Sequence, residues 1–358
     1  MADLLSEKEV YEIVRTVGVN QIMDDLYQRL FDGISRFSDK LIFCPEREGF
    51  SYSMPSTGLI EWMPLYDERN QRVMIKTVGY HPDNPKARNL PTILSNSSLY
   101  DVRSGELICV FESTLATAMR TGAASAIATK ALAHPKSKRF GFIGCGAQAV
   151  TQAHALSRVF DINELLYFDI DQHVEMTFEK RCDFLEGKIN FAKATIDEIV
   201  TTCDVVTTAT TIEVGKGPLF ERSDTLPHVH FNAVGSDFPG KIELPYALLK
   251  ESFICPDHLE QAIKEGECQQ LAANDIGPSL ASLIQHADLY SAHQLSKTVF
   301  DSTGWSFEDW IVMELFLGYA KSLGLQTSFH MNQSTNDVTN PYAAFAHPTP
   351  EIIELLRG

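Results

Sequence analysis

Three small residues punctuate the fragment RFGFIGCGAQAV at Gly144, Gly146 and Ala149, a GxGxxA spacing. The fragment ends an apolar run and opens a helical one, which is the context in which such a turn can hold a dinucleotide. The first glycine permits the tight turn. The second lets a pyrophosphate approach the backbone, and the small third residue lets helix and strand pack closely. The helix N-terminus then faces the anion. The next apolar run ends in Asp169, 25 residues after Gly144. A carboxylate there can accept both ribose hydroxyls of NAD and would repel a 2′-phosphate. The residues that follow, Ile170, Asp171 and Gln172, carry no positive charge, so NAD is favoured over NADP. A plain glycine turn with a surface Asp is the simpler alternative. Two further apolar runs end in TTATT and AVGSD. Ligands of open α/β sheets sit at the carboxyl ends of strands, so Thr208, Thr210, Val234 and Gly235 are expected to surround a nicotinamide.

Other side chains could do chemistry on a substrate. Asp237 lies at a Gly- and Pro-flanked strand end in AVGSDFPGK. It is either a turn Asp or a general acid/base whose pKa partial burial would bring toward the working range. Lys241, four residues on, can help place it or bind the cofactor. Glu61 and Lys76 stand inside the apolar runs IEWMP and MIKTVGYHP. Alternation can turn them to solvent; turned inward, they need partners. Arg120 occupies an otherwise small and apolar helical stretch, where a guanidinium suits a carboxylate, a phosphate or a structural Glu. Arg47, in CPEREG, reads more simply as a surface residue. None of the eleven His has the spacing of a metal ligand pair, and no nucleophile elbow occurs. No metal is expected.

These residues need elements to hold them. Residues 1–37 read as helix with an interruption near Gly18, because Val10, Ile13, Val14 and Val17, then Ile22, Leu26 and Leu30, recur at helical spacing. From about 38 to 112, short apolar runs separated by Asp, Asn, Pro and Gly predict a largely antiparallel sheet. Residues 113–133 read as a helix rich in Ala, Thr and Ser, whose small side chains allow close approach to another backbone or to a ligand. At Pro135 the rhythm changes to alternating strands and helices, with one helix expected to run to about Leu185 and another opened by Thr195 with Glu198 in a capping box. Such alternation predicts a parallel sheet with helices on both faces. A helix follows over 306–326, and the last 30 residues, rich in Asn and Pro, are expected to loop over the surface.

The 358 residues suggest two domains. With 44% hydrophobic and 22% charged residues the composition is that of a globular chain. The net charge of −17 argues against nucleic acid or an anionic membrane as main partner. No stretch approaches the roughly 18 apolar residues needed to span a bilayer. The opening MADLLSEKEVYEIV is acidic and amphipathic, unlike a signal peptide. Seven scattered cysteines without a CxxC pair read as buried thiols in a reducing cytoplasm.

Eight segments together resemble the ornithine cyclodeaminase/mu-crystallin family, and within it the bacterial ornithine and lysine cyclodeaminases. They are IEWMP, KTVGYHPDNP, LPTIL, RTGAASAIA, GCGAQAVTQAHALS, NAVGSDFPGKIELP, EGECQQL and FDSTGWSFED. The resemblance implies an α/β chain with two parts. One is an NAD-binding Rossmann-type domain with a doubly wound parallel sheet, 135–305. The other is a discontinuous α+β domain for substrate binding and dimerisation with a largely antiparallel sheet, 1–134 with 306–358. It implies a homodimer acting on a small L-amino acid. Lys76 and Arg120 would hold the substrate α-carboxylate with Arg47 as helper, Glu61 would bind the distal amine, and Asp237 would be the general acid/base. Gly144, Gly146, Ala147, Gln148 and Asp169 would hold NAD, with Thr92, Thr121, Lys241 and Ser302 completing the shell. The implied reaction is redox-neutral. NAD takes a hydride from Cα of an L-diamino acid, the side-chain amine closes a ring on that carbon, ammonia leaves, and the hydride returns. L-Ornithine would give L-proline and L-lysine would give L-pipecolate. The same family also contains amino-acid dehydrogenases, ketimine reductases and non-catalytic binding proteins, and Glu61 together with Asp237 argues for the cyclodeaminase.

Overall fold

A computed structural model describes residues 1–221, 224–331 and 337–343. Most of the tail expected to loop over the surface lies outside the described residues. Two sheets organise the rest. The first contains β1 (Ala2–Leu5), β2 (Ile42–Phe43), β3 (Glu48–Tyr52), β4 (Gly58–Asp67), β5 (Arg72–Tyr80), β6 (Ile93–Asp101) and β7 (Leu107–Glu112), and a short strand, Thr327–Phe329, at one edge. Its order is Thr327–Phe329, β1, β7, β6, β5, β4, β2, with β3 also on β4. β1 runs parallel to β7, and the other pairings are antiparallel.

β4 shows how this sheet is polarised. Glu61, Met63, Leu65 and Asp67 alternate onto the buried face. The paired register sets Lys76 opposite Met63 and Met74 opposite Leu65, so Lys76 shares that face with Glu61. The face is covered chiefly by helices Thr114–Leu132 and Ser306–Leu323, with Val19–Ser35 packed on them, and their apolar residues form the main core with it.

The second sheet contains β8 (Arg139–Ile143), β9 (Glu164–Phe168), β10 (Asn190–Lys193), β11 (Val205–Thr208), β12 (His230–Ala233), β13 (Phe253–Pro256) and β14 (Thr298–Asp301). Its order is β10-β9-β8-β11-β12-β14-β13, and every pairing is parallel. The chain winds outward in one direction from β8 through β9 to β10, then crosses to β11 and winds the other way. That reversal beside β8 is the switch point where such sheets bind ligands.

Two local expectations change. Residues 2–5 are a strand rather than helix, because β7 supplies a distant ladder partner that four residues cannot announce. The helix then starts at Glu7 and breaks at Gly18, whose φ of +87° suits glycine. The helix expected to reach Leu185 is two short ones, Gln172–Met176 and Phe178–Arg181. Val174, Phe178 and Cys182 keep helical spacing across the break, which hides it in the pattern. Thr195 does cap the next helix, its hydroxyl accepting the Glu198 N–H at 3.2 Å.

The small residues of Thr114–Leu132 serve a close crossing. A Cβ on Gly122 would lie 2.5 Å from the Thr151 carbonyl oxygen of helix Ala147–Val159. We predict that Gly122→Ala lowers thermal stability by about 1–3 kcal/mol, the usual cost of overpacking. Denaturant unfolding of both proteins tests this, and an unchanged midpoint contradicts it.

Candidate active site

β8 delivers the glycine turn at the switch point. Gly144 has φ +91°, and a Cβ on it would stand 2.5 Å from the Ala209 carbonyl oxygen. Gly146 is the N-cap of helix Ala147–Val159, and no side chain caps that end. A Cβ on Gly146 would meet no atom within 4 Å. The turn is thus tight where it must be, open where a diphosphate would sit, and backed by unsatisfied backbone N–H groups. Ala147 and Gln148 form the first turn of that helix. Asp169 follows β9 directly, and its oxygens accept N–H bonds from Cys145 (2.7 Å) and Asp171 (2.8 Å). These contacts fix the carboxylate beside the turn.

The nicotinamide end is less simple than the sequence suggests. The hydroxyls of Thr208 and Thr210 and the N–H of Gly235 all donate to the buried Glu243. Val234 donates its N–H to the Thr208 carbonyl. Ser302 is buried, and its hydroxyl has no hydrogen-bond partner among the described residues. Thr121 is buried on its helix with its hydroxyl on the Thr117 carbonyl, and Thr92 receives the His81 N–H on its carbonyl.

The substrate candidates converge. Lys76 is 1% exposed, and its Nζ lies 2.8 Å from Asp309 Oδ1. Arg120 reaches the same oxygen with Nε at 3.1 Å and Glu308 Oε2 with an Nη at 2.5 Å. Glu61 is 8% exposed and accepts from Arg47 at 3.5 Å. Arg47 also pairs through Nε with Glu265 at 3.0 Å and donates to the carbonyls of Thr303 (2.6 Å) and Gly304 (2.9 Å). It is therefore no surface residue: its partners come from both halves of the chain, and they draw it in. Glu61 and Lys76 likewise face inward rather than to solvent. Lys241 holds Asp237 Oδ1 at 2.7 Å and lies 5.2 Å from the Tyr80 ring centre. Gly304, at φ +89°, has room for no side chain, since a Cβ would come within 2.7 Å of the Arg120 guanidinium.

Burial and crowding shift the titrations. Burial pushes Glu265 from 4.5 up to about 8, against the pull of Arg47, with Glu61, Asp237 and Asp257 pushing the same way. Burial, opposed by Arg47, raises Glu61, and Asp237 raises it further. Burial also raises Glu308 against the pull of Arg120, and it lowers Lys76 from 10.5 to about 8 despite Asp309. Four carboxylates of this cluster, those of Glu265, Glu308, Asp309 and Asp257, are not evident from local pattern. Their signal is an acid embedded in an apolar or aromatic run, as in SFEDW, or one within the family-like segments EGECQQL and FDSTGWSFED.

A model of the ornithine cyclodeaminase/mu-crystallin family matches residues 7–322. The chain belongs to that family. L-Lysine cyclodeaminase of Streptomyces rapamycinicus is 39% identical over 341 residues, covering 95% of this chain and 98% of that protein. A solved lysine cyclodeaminase, studied for recognition of L-lysine, L-ornithine and L-2,4-diaminobutyric acid, superposes with a TM-score of 0.90 at 40% identity, covering 96% of this chain and 99% of the other. An archaeal alanine dehydrogenase dimer with bound NAD superposes with a TM-score of 0.79 at 29% identity, covering 92% and 99%. The Rossmann-type parallel sheet beside a largely antiparallel one is thus the family architecture. Among the described residues no helix is long and apolar enough to cross a membrane.

The raised carboxyl of Glu265 gives a prediction about this family member. A group whose pKa is raised on folding stabilises fully below its unfolded value, here near 4.5, and that stability is lost as pH rises through about 8. Asp301, raised to about 7 by burial, has the same sign. The lowered His154 and His230 act oppositely, but their contribution is complete above about pH 6.5. The melting temperature of the ligand-free protein should therefore fall between about pH 6.5 and 8, and Glu265→Gln should flatten the slope. A melting temperature that rises across that window, or an unaltered slope in the variant, contradicts this.

Proposed function

We propose that this protein is an NAD-dependent cyclodeaminase that converts L-lysine or L-ornithine into the cyclic imino acid with loss of ammonia. One observation carries this reading: Glu61, an acceptor for a distal ammonium, stands 3.5 Å from Arg47 and within electrostatic reach of Lys76 and Asp237, so it shares one cluster with the cations suited to an α-carboxylate. Glu61, Glu265, Glu308, Asp309, Asp257 and Asp237 surround Arg47, Lys76, Arg120 and Lys241. Glu308 Oε1 and Asp309 Oδ2 are buried without a hydrogen-bond partner among the described residues. Such a site suits an L-diamino acid, which brings two ammonium groups and one carboxylate. Alanine or an α-imino acid brings less positive charge.

The chain's own groups divide the work. Lys76 and Arg120 hold the substrate α-carboxylate and so orient Cα. Glu61 attracts the distal ammonium, helped by Arg47 shifting from Glu61 to the substrate carboxylate, and the chain folds back on itself. Asp237, with Oδ1 held by Lys241, uses Oδ2 to take a proton from the distal ammonium and deliver one to the departing amine. Fixing the amine against Cα is worth several orders of magnitude, given effective molarities of about 10⁵ M or more. Gly144, Gly146, Ala147, Gln148 and Asp169 would hold NAD, with Ser302 offering its free hydroxyl and Thr92, Thr121, Thr208, Thr210, Val234, Gly235 and Lys241 around it. Bound there, NAD supplies reversible hydride removal at Cα. The carboxylate of Asp169 selects against the 2′-phosphate of NADP.

Incubation with L-lysine or L-ornithine and catalytic NAD should yield ammonia and cyclic product one for one without NADH accumulating. NADH rising with substrate loss would instead mark a dehydrogenase. Asp237→Asn should keep NAD affinity and lose about 10²–10⁴-fold in kcat. Unchanged turnover would remove Asp237 from its role.

We also propose a cytoplasmic homodimer assembled through the open face of the first sheet. Ile60 (42% exposed) and Leu94 (40%) border a groove there, lined also by Leu4, Val110 and His81. Sedimentation should show dimers for the native protein and monomers for Ile60→Glu with Leu94→Glu. A monomeric native protein contradicts this.

A further inference from the structure

Glu243, Glu267 and Asp301 are fully buried, and among the described residues no Lys or Arg pairs with them. Isolated buried carboxylates are costly unless hydrogen bonds satisfy them. Each is satisfied by hydrogen-bond donors: Glu243 by the ends of β11 and β12, Glu267 by the N–H groups of Glu243 and Leu244 and the amide of Gln270, and Asp301 by the N–H groups of Glu267 and Cys268. Glu243 Oε1 accepts the Thr210 N–H (2.8 Å) and hydroxyl (2.7 Å), and Oε2 accepts the Thr208 hydroxyl (2.7 Å) and the Gly235 N–H (2.8 Å). The Glu243 N–H donates to Glu267 Oε1 at 2.7 Å, and the Glu267 N–H donates to Asp301 Oδ1 at 2.9 Å. One carboxylate therefore joins the carboxyl ends of β11 and β12, and two more continue the connection to the end of β14.

Glu243 also closes the loop that carries the proposed acid/base. Residues 235–243 leave β12 and return with Gly235 N–H on the Glu243 carboxylate, Ser236 Oγ on the Lys241 carbonyl (2.6 Å), and Lys241 Nζ on Asp237. A Cβ on Gly235 would collide with Glu243 Oε1. We propose that Glu243 is a positioning residue that locks the ends of β11 and β12 together, so that the loop presents Asp237 to the substrate and the strand ends shape the seat of the nicotinamide. This rests on the cyclodeaminase reading. Each carboxylate oxygen takes one backbone N–H, and neither N–H can reverse. A Gln at this position offers only one acceptor oxygen, so in either orientation it sets its NH₂ against one of them.

The test uses Glu243→Gln and Glu243→Asp in the full chain. NAD affinity is measured by calorimetry, and kcat and KM by release of ammonia from L-lysine and L-ornithine. We expect Glu243→Gln to bind NAD about tenfold more weakly, equivalent to about 1.4 kcal/mol. Its kcat should fall about a hundredfold, the scale of a small misplacement of reacting groups. KM for the amino acid should stay within about threefold, because Lys76, Arg120 and Glu61 are untouched, and Glu243→Asp should recover part of both losses. Thr208→Val, which removes one donor and keeps the carboxylate, should shift NAD affinity and kcat in the same direction by less, and serves if Glu243→Gln does not fold. A lowered melting temperature with NAD affinity and kcat unchanged below it overturns the proposal and leaves Glu243 merely structural. If the native protein cyclises neither diamino acid, the cyclodeaminase reading fails, while the NAD titrations still decide the role of Glu243.

Discussion

Asp309 stands between two cations that the chain brings from far apart, and the site depends on that meeting. Lys76 comes from β5, Arg120 from helix Thr114–Leu132, and Asp309 from the first turn of helix Ser306–Leu323. All three are nearly inaccessible to solvent. Charges so placed are tolerated only together. Removing one member of such a set strands the others and costs about 3–5 kcal/mol. The network therefore fixes where helix Ser306–Leu323 must lie on the first sheet, and with it the orientation of both cations before any ligand arrives. The acids Glu308 and Asp309 lie in the first turn of the helix, where its dipole favours negative charge.

The charge balance of this cavity bears on chemistry as well as on stability. Under the proposed reaction the substrate enters with two ammonium groups and one carboxylate. The ring product keeps one of each, and the second nitrogen leaves. The internal pairing of Arg47 with Glu61, at 3.5 Å the longest of these contacts, is the one that a diamino acid can replace at both ends. Its carboxylate satisfies the arginine and its distal ammonium satisfies the glutamate. The remaining Arg47 bonds, to Glu265, Thr303 and Gly304, hold the guanidinium in place during that exchange.

What the sequence makes legible follows the range of the interactions. The glycine turn, its helix and Asp169 lie within 26 residues, and each needs only its neighbours to be understood. So do β4–β7 and the strands of the second sheet, because alternation and apolar runs are local, whereas β1 depends on its distant partner β7. Glu61 and Lys76 are visible as charges in apolar strands, yet alternation alone does not say which face is covered. That depends on helices 114–132 and 306–323, both beyond the reach of any local pattern. Arg47 is the sharper case. Its flanking acids and loop context suggest solvent, and only distant partners, Glu61, Glu265 and the carbonyls of Thr303 and Gly304, draw it in. Thr208 and Thr210 stand at a strand end as expected, but the buried acceptor that claims their hydroxyls is set by a loop return that no short pattern encodes.

Helix Thr114–Leu132 is the element through which the two sheets constrain each other. Arg120 and Gly122 are two residues apart, so they project about 200° apart around the helix. One face carries the guanidinium toward Glu308 and Asp309. The opposite face presses Gly122 against the Thr151 carbonyl of the helix that begins at the glycine turn. Further along, Thr129 and Asn232 of β12 hydrogen-bond at 2.9 Å. The same rigid rod thus carries Arg120, proposed to hold the substrate carboxylate, and touches the helix whose N-terminus faces the proposed diphosphate and the strand that leads to Asp237. Bulk added at Gly122 would press the Thr151 carbonyl and load the same helix that carries Arg120. Under the proposed reaction, the small residues there are the condition for aligning Cα of a substrate with a cofactor held by the other sheet.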